Sequence, residues 1–285
     1  EFFIDPAGNV SSPSLQVSPL GSTPALPFSS TSSWFYVPGS SDDALFMQVN
    51  AYYWIQRFLT EYLPSLSYPE LPQITAQIRV APNSDSGGNP ALAVPPNFMH
   101  FFGHANLRHT AKDPDILVHE AGHVVLYHFG VFGEFLGGDR ELEAAAVHEA
   151  YADFFACAFT GDSRCGEWTY NNYPDPAVVR DMESDASVYN DDRFDELHGQ
   201  YEKSLILSGA LWMMRKAYGS MGVRLALAGL AYLPSNPSFA CIRDAVLQAD
   251  RDLYGGVHVN GLAEIFAERS IRASPVPGMI DGPAA

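Results

Sequence analysis

The stretch "DILVHEAGHVVLYH", residues 115–128, is strongly apolar, yet it carries His119, Glu120 and His123. Asp113-Pro114 comes just before it, and this pair predicts a helix that starts at the proline. On a helix, positions i and i+4 share a face, so the two imidazoles can point at one metal ion with the carboxylate beside them. The pattern His-Glu-x-x-His therefore predicts two zinc ligands and a general base that acts on a water molecule.

The same pattern arises by chance in about one chain in a hundred of this length, and two hydrogen-bonded core histidines without a metal would also explain it. A catalytic zinc needs a third protein ligand. In "DRELEAAAVHEAYADFFACAF", residues 139–159, Glu149 and Asp153 lie one turn apart on the predicted apolar face, and Tyr151 lies on the polar face. Because buried carboxylates need a metal or hydrogen-bond donors, we expect Glu149 to be the third ligand and Asp153 to orient a ligand imidazole.

The rest of the chain predicts strands first and helices later. Residues 11–42 are rich in Ser and Pro and are predicted to be extended or a loop. A helix is predicted over residues 44–63, with Phe46, Val49, Tyr53 and Leu59 on its buried face. Strands are predicted in "ITAQIRV" (74–80) and, more weakly, in "NFMHFFG" (97–103), and helices over about 139–158, 200–217, 238–253 and 260–271.

The net charge limits the partners of the chain. It is −17 at pH 7, from 33 acidic and 16 basic side chains. Such a surface repels nucleic acid and anionic membranes, so neither is an expected partner. The sequence also lacks an apolar run of the length, about 18 residues, that would predict a transmembrane helix.

The motif His119-Glu120-x-x-His123, followed by Glu149-x-x-x-Asp153 on a later helix, resembles the gluzincin metallopeptidases, and more narrowly the thermolysin and fungalysin families. This resemblance implies an α+β fold of two lobes with the active cleft between them. The strand-containing lobe, residues 1–135, would end in the metal helix, and the helical lobe, residues 136–285, would supply the third zinc ligand.

The resemblance also implies roles for individual residues. His119, His123 and Glu149 would bind zinc, Glu120 would be the general base, and Asp153 would support a ligand. Arg180 would bind a substrate carbonyl, with Ile116 and Val179 lining a hydrophobic specificity pocket. Of two candidates for the histidine that stabilises the oxyanion, chain order favours His198 in "DELHGQ" over His258 in "GGVHVN". Asp115 matches a calcium-binding aspartate of thermolysin, which leaves Ca²⁺ open as a second cation.

The resulting hypothesis is a zinc-dependent endopeptidase that acts on peptides or proteins. The family resemblance, together with an acidic, Lys-poor surface, predicts a secreted protein. Two alternatives stay open at this point. One is a zinc-binding protein of the same fold without peptidase activity, and the other is a zinc amidohydrolase of narrow specificity.

Overall fold

The structure, a computed structural model, describes residues 3–4, 10–19, 43–81, 90–104, 107–132, 139–171, 179–184 and 199–273. The chain forms two compact units. The first comprises Glu1–Ser65, Pro72–His128 and Phe155–Arg180, and the second comprises Leu66–Leu71, Phe129–Phe154 and Asp181–Ala285. The predicted division into lobes at residue 135 stays a prediction.

A six-stranded sheet forms the β part of the first unit. Its strands are β1 (Phe3–Ile4), β2 (Val10–Ser11), β3 (Leu15–Pro19), β4 (Ala76–Ala81), β5 (Ala91–Val94) and β6 (Phe98–Phe102). They are arranged in the order β1-β2-β3-β4-β6-β5. The pairs β3–β4 and β4–β6 are parallel and the other neighbours are antiparallel.

The two predicted strands are present. Strand β4 buries Ala76, Ile78 and Val80 in alternation, as the sequence predicts, and β6 buries Met99 and Phe101. Strand β3 is new, because it lies within the Ser- and Pro-rich stretch that was predicted to be extended or a loop. Its alternation of buried Leu15 and Val17 covers too few residues to identify a strand without the parallel partner β4.

Helix α1 (Asp43–Arg57) packs against β3 and β4, but through a different face from the predicted one. Met47, Ala51 and Ile55 are buried, whereas Tyr53 is 49% exposed. The predicted face was therefore wrong at Tyr53, whereas Leu59, which lies just after this helix and was also predicted to be buried, is buried. Two apolar stripes run along this helix, and periodicity alone does not show which of them the sheet covers.

Of the six long helices that follow within the described ranges, five lie close to their predicted positions. They are α2 (Pro114–His128), α3 (Asp139–Thr160), α4 (Gln200–Tyr218), α5 (Ser220–Gly229), α6 (Phe239–Tyr254) and α7 (Val259–Glu268). Helix α5 was not predicted. In the second unit α5 packs against both α4 and α6, and α7 packs against α4 and α6. The short strands β7 (Arg164–Cys165) and β8 (Arg180–Asp181) form a two-stranded sheet.

The prediction of an α+β protein is thus confirmed. Within the described ranges, no helix is both long enough and apolar enough to cross a bilayer.

Candidate metal centre

Asp113 fixes the start of helix α2. Its Oδ1 accepts a hydrogen bond from the backbone N–H of Asp115 at 3.0 Å, which satisfies one of the donors left over at a helix N-terminus. Its Oδ2 accepts hydrogen bonds from the backbone N–H and the hydroxyl of Thr169, at 3.0 and 2.6 Å. One buried carboxylate therefore holds the first turn of α2 and a loop 56 residues away.

His119 and His123 point their ring nitrogens at each other from adjacent turns of α2. The two Nε2 atoms are 3.1 Å apart. The ring centroids are 4.7 Å apart, with the planes inclined by 86°. Two nitrogens bound to one tetrahedral zinc ion at 2.0–2.1 Å lie about 3.3 Å apart. The pair therefore has nearly the separation of two ligands of a single zinc ion.

Glu120 is buried together with the two histidines, at 5% exposure. The structure buries every residue of α2 from Asp115 to Leu126, so this part of the helix is enclosed on all sides. Burying ionisable side chains in such a helix is costly unless they meet a cation or hydrogen-bond partners. A cation beside His119 and His123 would offset this cost.

Helix α3 carries the second pair of predicted site residues. Glu149 is 8% exposed and Asp153 is fully buried. The amide of Gln200 donates a hydrogen bond from Nε2 to Oε1 of Glu149, at 3.1 Å. The predicted polar face was wrong at Tyr151, which is also fully buried and donates a hydrogen bond to the carbonyl of Ala226 at 3.3 Å. Every residue of this helix from Ala144 to Ala158 is buried, which a two-sided amphipathic pattern does not anticipate.

The predicted ligands form a group of the size that one metal ion requires. His119, His123 and Glu149 each offer one ligand atom, and these three atoms all lie within 4.8 Å of one another. A second group of the same size joins His119, Asp153 and Cys165. Two imidazoles and a carboxylate are the donor set of a catalytic zinc site, so these residues fit that ion.

Arg180 and Ile116, two of the predicted substrate-binding residues, are buried, and Val179 is half-buried. The guanidinium of Arg180 lies 4.0 Å from the sulfur of Cys165. Ile116 packs so close to Gly166 that a Cβ on this glycine would lie 3.3 Å from Cδ1 of the isoleucine. The roles of all three residues in substrate binding stay predictions.

The two candidate oxyanion histidines differ in what can be said of them. His198 lies outside the described residues. His258 lies just before α7, and its Nδ1 contacts Oδ1 of Asp250 at 2.7 Å. Its backbone N–H donates to the other oxygen of Asp250 at 2.9 Å. His258 therefore holds the loop between α6 and α7, as its assignment as a loop histidine predicts.

Asp115 forms an acidic cluster with Asp113 and Glu167, which the sequence pattern did not reveal. Burial, the nearby charges of Asp113 and Glu167, and a hydrogen bond with Glu167 together raise the pKa of Asp115 to about 8. Burial also raises the pKa of Asp113. Among the described residues, no side chain or backbone group forms a hydrogen bond with the buried Oε2 of Glu167.

Sequence reasoning missed Gln200, Thr169 and Glu167. Each of them contacts a site residue that is more than 50 positions away in the sequence, so the spacing of nearby residues does not reveal the contact. The one available signal was the pair Gly199-Gln200 at the predicted helix start, which places a polar amide on a first helical turn.

The fold is similar to that of a solved metalloproteinase precursor. The precursor of protealysin, a metalloproteinase from Serratia proteamaculans, superimposes with a TM-score of 0.63 over 90% of this chain and 87% of that chain. Sequence identity is 12%, so this likeness concerns the fold alone. The chain therefore has the α+β fold of the thermolysin-like metallopeptidases.

The amino-acid sequence is similar to a metallopeptidase family model and to extracellular metalloproteinases. The Fungalysin metallopeptidase (M36) family matches residues 213–274. Extracellular metalloproteinase 2 of Trichophyton rubrum is 28% identical over an alignment of length 205 that covers 58% of this chain and 32% of that protein. An extracellular metalloproteinase of Pyrenophora tritici-repentis is 26% identical over an alignment of length 206 that covers 58% of this chain and 30% of that protein. The chain thus spans about a third of the length of these relatives. The resemblance to the thermolysin and fungalysin families is confirmed.

Proposed function

We propose that the chain is a zinc-dependent endopeptidase. The observation that carries this proposal is the group of ligand atoms from His119, His123 and Glu149, all within 4.8 Å of one another and buried. Glu120, next to the first of these ligands, gives the site a general base, which a purely structural zinc site does not need. The resemblance to metallopeptidases in fold and sequence supports the same reaction.

In this proposal, each site residue has a separate role in peptide hydrolysis. His119, His123 and Glu149 would hold a zinc ion, which would supply Lewis acidity towards the scissile carbonyl and a water molecule. Glu120 accepts a proton from this water and later donates it to the leaving amine. His198 and Arg180 donate hydrogen bonds to the carbonyl oxygen as negative charge develops there. Asp153 fixes a ligand imidazole by accepting its second N–H, and Ile116 and Val179 line the pocket for an apolar substrate side chain.

Strand β5 offers a place for the substrate backbone. It is the last strand of the sheet order and packs against α2, the helix that carries both histidines. A strand at the end of a sheet can pair with an extended peptide through main-chain hydrogen bonds, which recognise the backbone rather than one side chain. We propose that β5 aligns the peptide in this way, which supports cleavage at internal peptide bonds.

Metal analysis and a casein assay test the function. The purified protein is expected to hold one zinc ion per chain and to cleave casein, and a chelator should abolish cleavage until zinc is returned. E120Q should retain zinc and the fold while kcat falls by about 10²–10⁴-fold, the usual contribution of a general base. Turnover by E120Q at the wild-type rate would remove Glu120 from this role.

The same assay separates the two alternatives. Stoichiometric zinc without cleavage of casein or of any peptide in a panel would identify a binding protein of this fold. Cleavage of one amide or one peptide only would identify a narrow amidohydrolase. An active protein that contains no metal would contradict the proposal, since His119 and His123 would then be a hydrogen-bonded pair in the core.

We propose a second cation, calcium, at the acidic cluster around Asp115. Three carboxyl groups lie together there, and Asp113 and Asp115 are both buried. Calcium prefers carboxylate oxygens and would balance their charge. The buried Oε2 of Glu167, without a hydrogen bond in the described part of the chain, supports this site. Calcium should raise the melting temperature of the wild type and not that of D115N; equal shifts in both would contradict the site.

The location of the protein is also a proposal. The relatives from Trichophyton rubrum and Pyrenophora tritici-repentis are named extracellular metalloproteinases, which supports secretion of this chain. We further propose that residues 1–135 and 136–285 act as the two functional lobes, the first bearing Glu120 and the second bearing Glu149.

A further inference from the structure

We infer that Gln200 is a positioning residue for the metal centre, because it holds the carboxylate of Glu149 in the orientation that binds zinc. The inference rests on the proposed role of Glu149 as a zinc ligand. Its basis is the hydrogen bond from Nε2 of Gln200 to Oε1 of Glu149, at 3.1 Å, which joins α4 to α3 across 51 residues of sequence.

The backbone conformation of Gly199 positions Gln200 at the start of helix α4. Gly199 has φ 92° and ψ 173°, a conformation that glycine adopts far more readily than other residues. A Cβ on Gly199 would find no atom within 4 Å, so the backbone angle rather than lack of space calls for glycine. Helix α4 begins directly afterwards, and Gln200 is therefore its first residue.

The position also gives Glu149 a favourable electrostatic neighbour. A helix N-terminus carries a partial positive charge and spare backbone N–H groups, which favour a carboxylate nearby. This contribution comes from the backbone of α4 and persists when the Gln200 side chain is replaced. A substitution at position 200 that preserves the helix therefore isolates the effect of the amide.

A neutral amide suits the support of a metal ligand. It fixes one carboxylate oxygen without adding a positive charge that would compete with a cation for Glu149. Carboxylates that bind metals are commonly held by such hydrogen bonds, and loss of one typically lowers metal affinity or activity by about 10–100-fold. Because a Glu side chain has several rotamers, the hydrogen bond also reduces the entropy that Glu149 loses when a metal binds.

The chain offers a matched control for this contact. Gln248 donates a hydrogen bond from Nε2 to Oδ1 of Asp252 at 2.9 Å, one turn along the exposed face of α6. Q200M and Q248M therefore remove the same kind of amide–carboxylate bond at two places, with a side chain of similar length and good helix propensity. Only the first of these bonds involves a proposed zinc ligand.

The experiment measures the zinc dissociation constant of the wild type, Q200M and Q248M by competition with a chromogenic chelator. Q200M should weaken zinc binding by about 10–100-fold, whereas Q248M should stay within about twofold of the wild type. Q200M should also lower the unfolding midpoint of the metal-free protein more than Q248M does, because Glu149 is buried and Asp252 lies on an exposed face. A purely structural role for Gln200 would lower this midpoint alone and leave the zinc affinity of the folded site unchanged.

The outcomes separate the inference from the proposed function. A wild type that binds no zinc would remove the function itself. A wild type that binds one zinc, with Q200M binding it equally well, would overturn the role of Gln200 and leave the zinc site intact. If Q200M does not fold, Q200A replaces it in the same measurement, since alanine also favours the helix, and the same two results decide.

Discussion

At the scale of single residues, a carboxylate–histidine contact can serve structure as well as chemistry. Asp250 is fully buried and receives both the backbone N–H and the ring Nδ1 of His258. Tyr218 and Tyr254 approach the same imidazole edge-on, with ring centroids 5.4 and 5.5 Å away. Two contacts with Asp250 and two with aromatic rings fix this histidine as part of the α6–α7 loop.

The two candidate oxyanion histidines, His258 and His198, should therefore respond differently to substitution by alanine. H258A should lower the free energy of unfolding by about 1–3 kcal/mol, because it removes a hydrogen bond to a buried carboxylate. It should leave kcat/KM close to the wild-type value. H198A should lower kcat by about 10²–10³-fold through loss of an oxyanion donor, with little change in stability. Peptide hydrolysis and urea denaturation of both variants measure these effects.

The reverse pattern would reassign the oxyanion donor. If H258A lost turnover while H198A retained it, His258 would be the catalytic histidine. A parallel D250N variant helps here, since it weakens the same loop contact without removing the imidazole. Its stability should fall as in H258A, and its turnover should stay high.

At the scale of elements, the close approach of α4 and α5 depends on Gly222. A Cβ on this residue would lie 2.5 Å from the backbone oxygen of Met214. Real side chains do not tolerate such a distance, and a backbone carbonyl inside a helix cannot rotate away. Glycine at this position therefore sets how closely α5 packs against α4.

We expect G222A to lower the free energy of unfolding by about 1–3 kcal/mol, the usual cost of overpacking, although alanine favours a helix. G209A is the matched control. A Cβ on Gly209 would lie 2.8 Å from the Arg269 guanidinium, which is the end of a flexible side chain and can shift. Thermal denaturation should therefore show a smaller loss for G209A than for G222A, and equal losses would contradict the argument.

Helices α2 and α1 show which features of a helix can be predicted from its sequence and which cannot. The start of α2 was predicted correctly because Asp113 and Pro114 are local signals, and the cap hydrogen bond confirms it. The buried face of α1 was predicted wrongly, since Met47 and Ala51 rather than Val49 and Tyr53 meet the core. Helix caps are encoded by neighbouring residues, whereas the choice between two apolar stripes depends on the surface that covers them.

At the scale of the whole molecule, the net charge is −17, and some of the carboxyl groups are buried. Asp115 is one of them, and burial disfavours its charged form. Its pKa in the folded protein is raised to about 8 from an ordinary value of 3.8. The folded state therefore binds this proton more tightly than the unfolded state does. The stabilising contribution is complete below about pH 4 and is lost as pH rises towards 8.

We accordingly expect the calcium-free protein to lose stability between about pH 4 and pH 8, by at most about 1.4 kcal/mol per pH unit from this group. D115N should flatten this dependence, because the amide does not titrate. Urea denaturation at several pH values, with a chelator specific for calcium, gives the slopes. An unchanged slope in D115N would show that another group controls the pH dependence.

The sequence by itself determined the elements that carry the proposed zinc ligands. The i, i+4 spacing of His119 and His123 and the burial of Glu149 follow from helix periodicity, and both are found in the structure. These features are local, because a helix brings residues three and four apart together wherever it lies in the fold.

Only the tertiary structure decided what surrounds those elements. Gln200 contacts Glu149 from 51 residues away, Thr169 contacts Asp113 from 56 residues away, and β3 becomes a strand through its parallel pairing with β4. Contacts of this kind depend on which distant segments pack together, and the spacing of nearby residues does not predict that packing. The physical reason is that hydrogen bonds between distant segments form only after packing has brought those segments together.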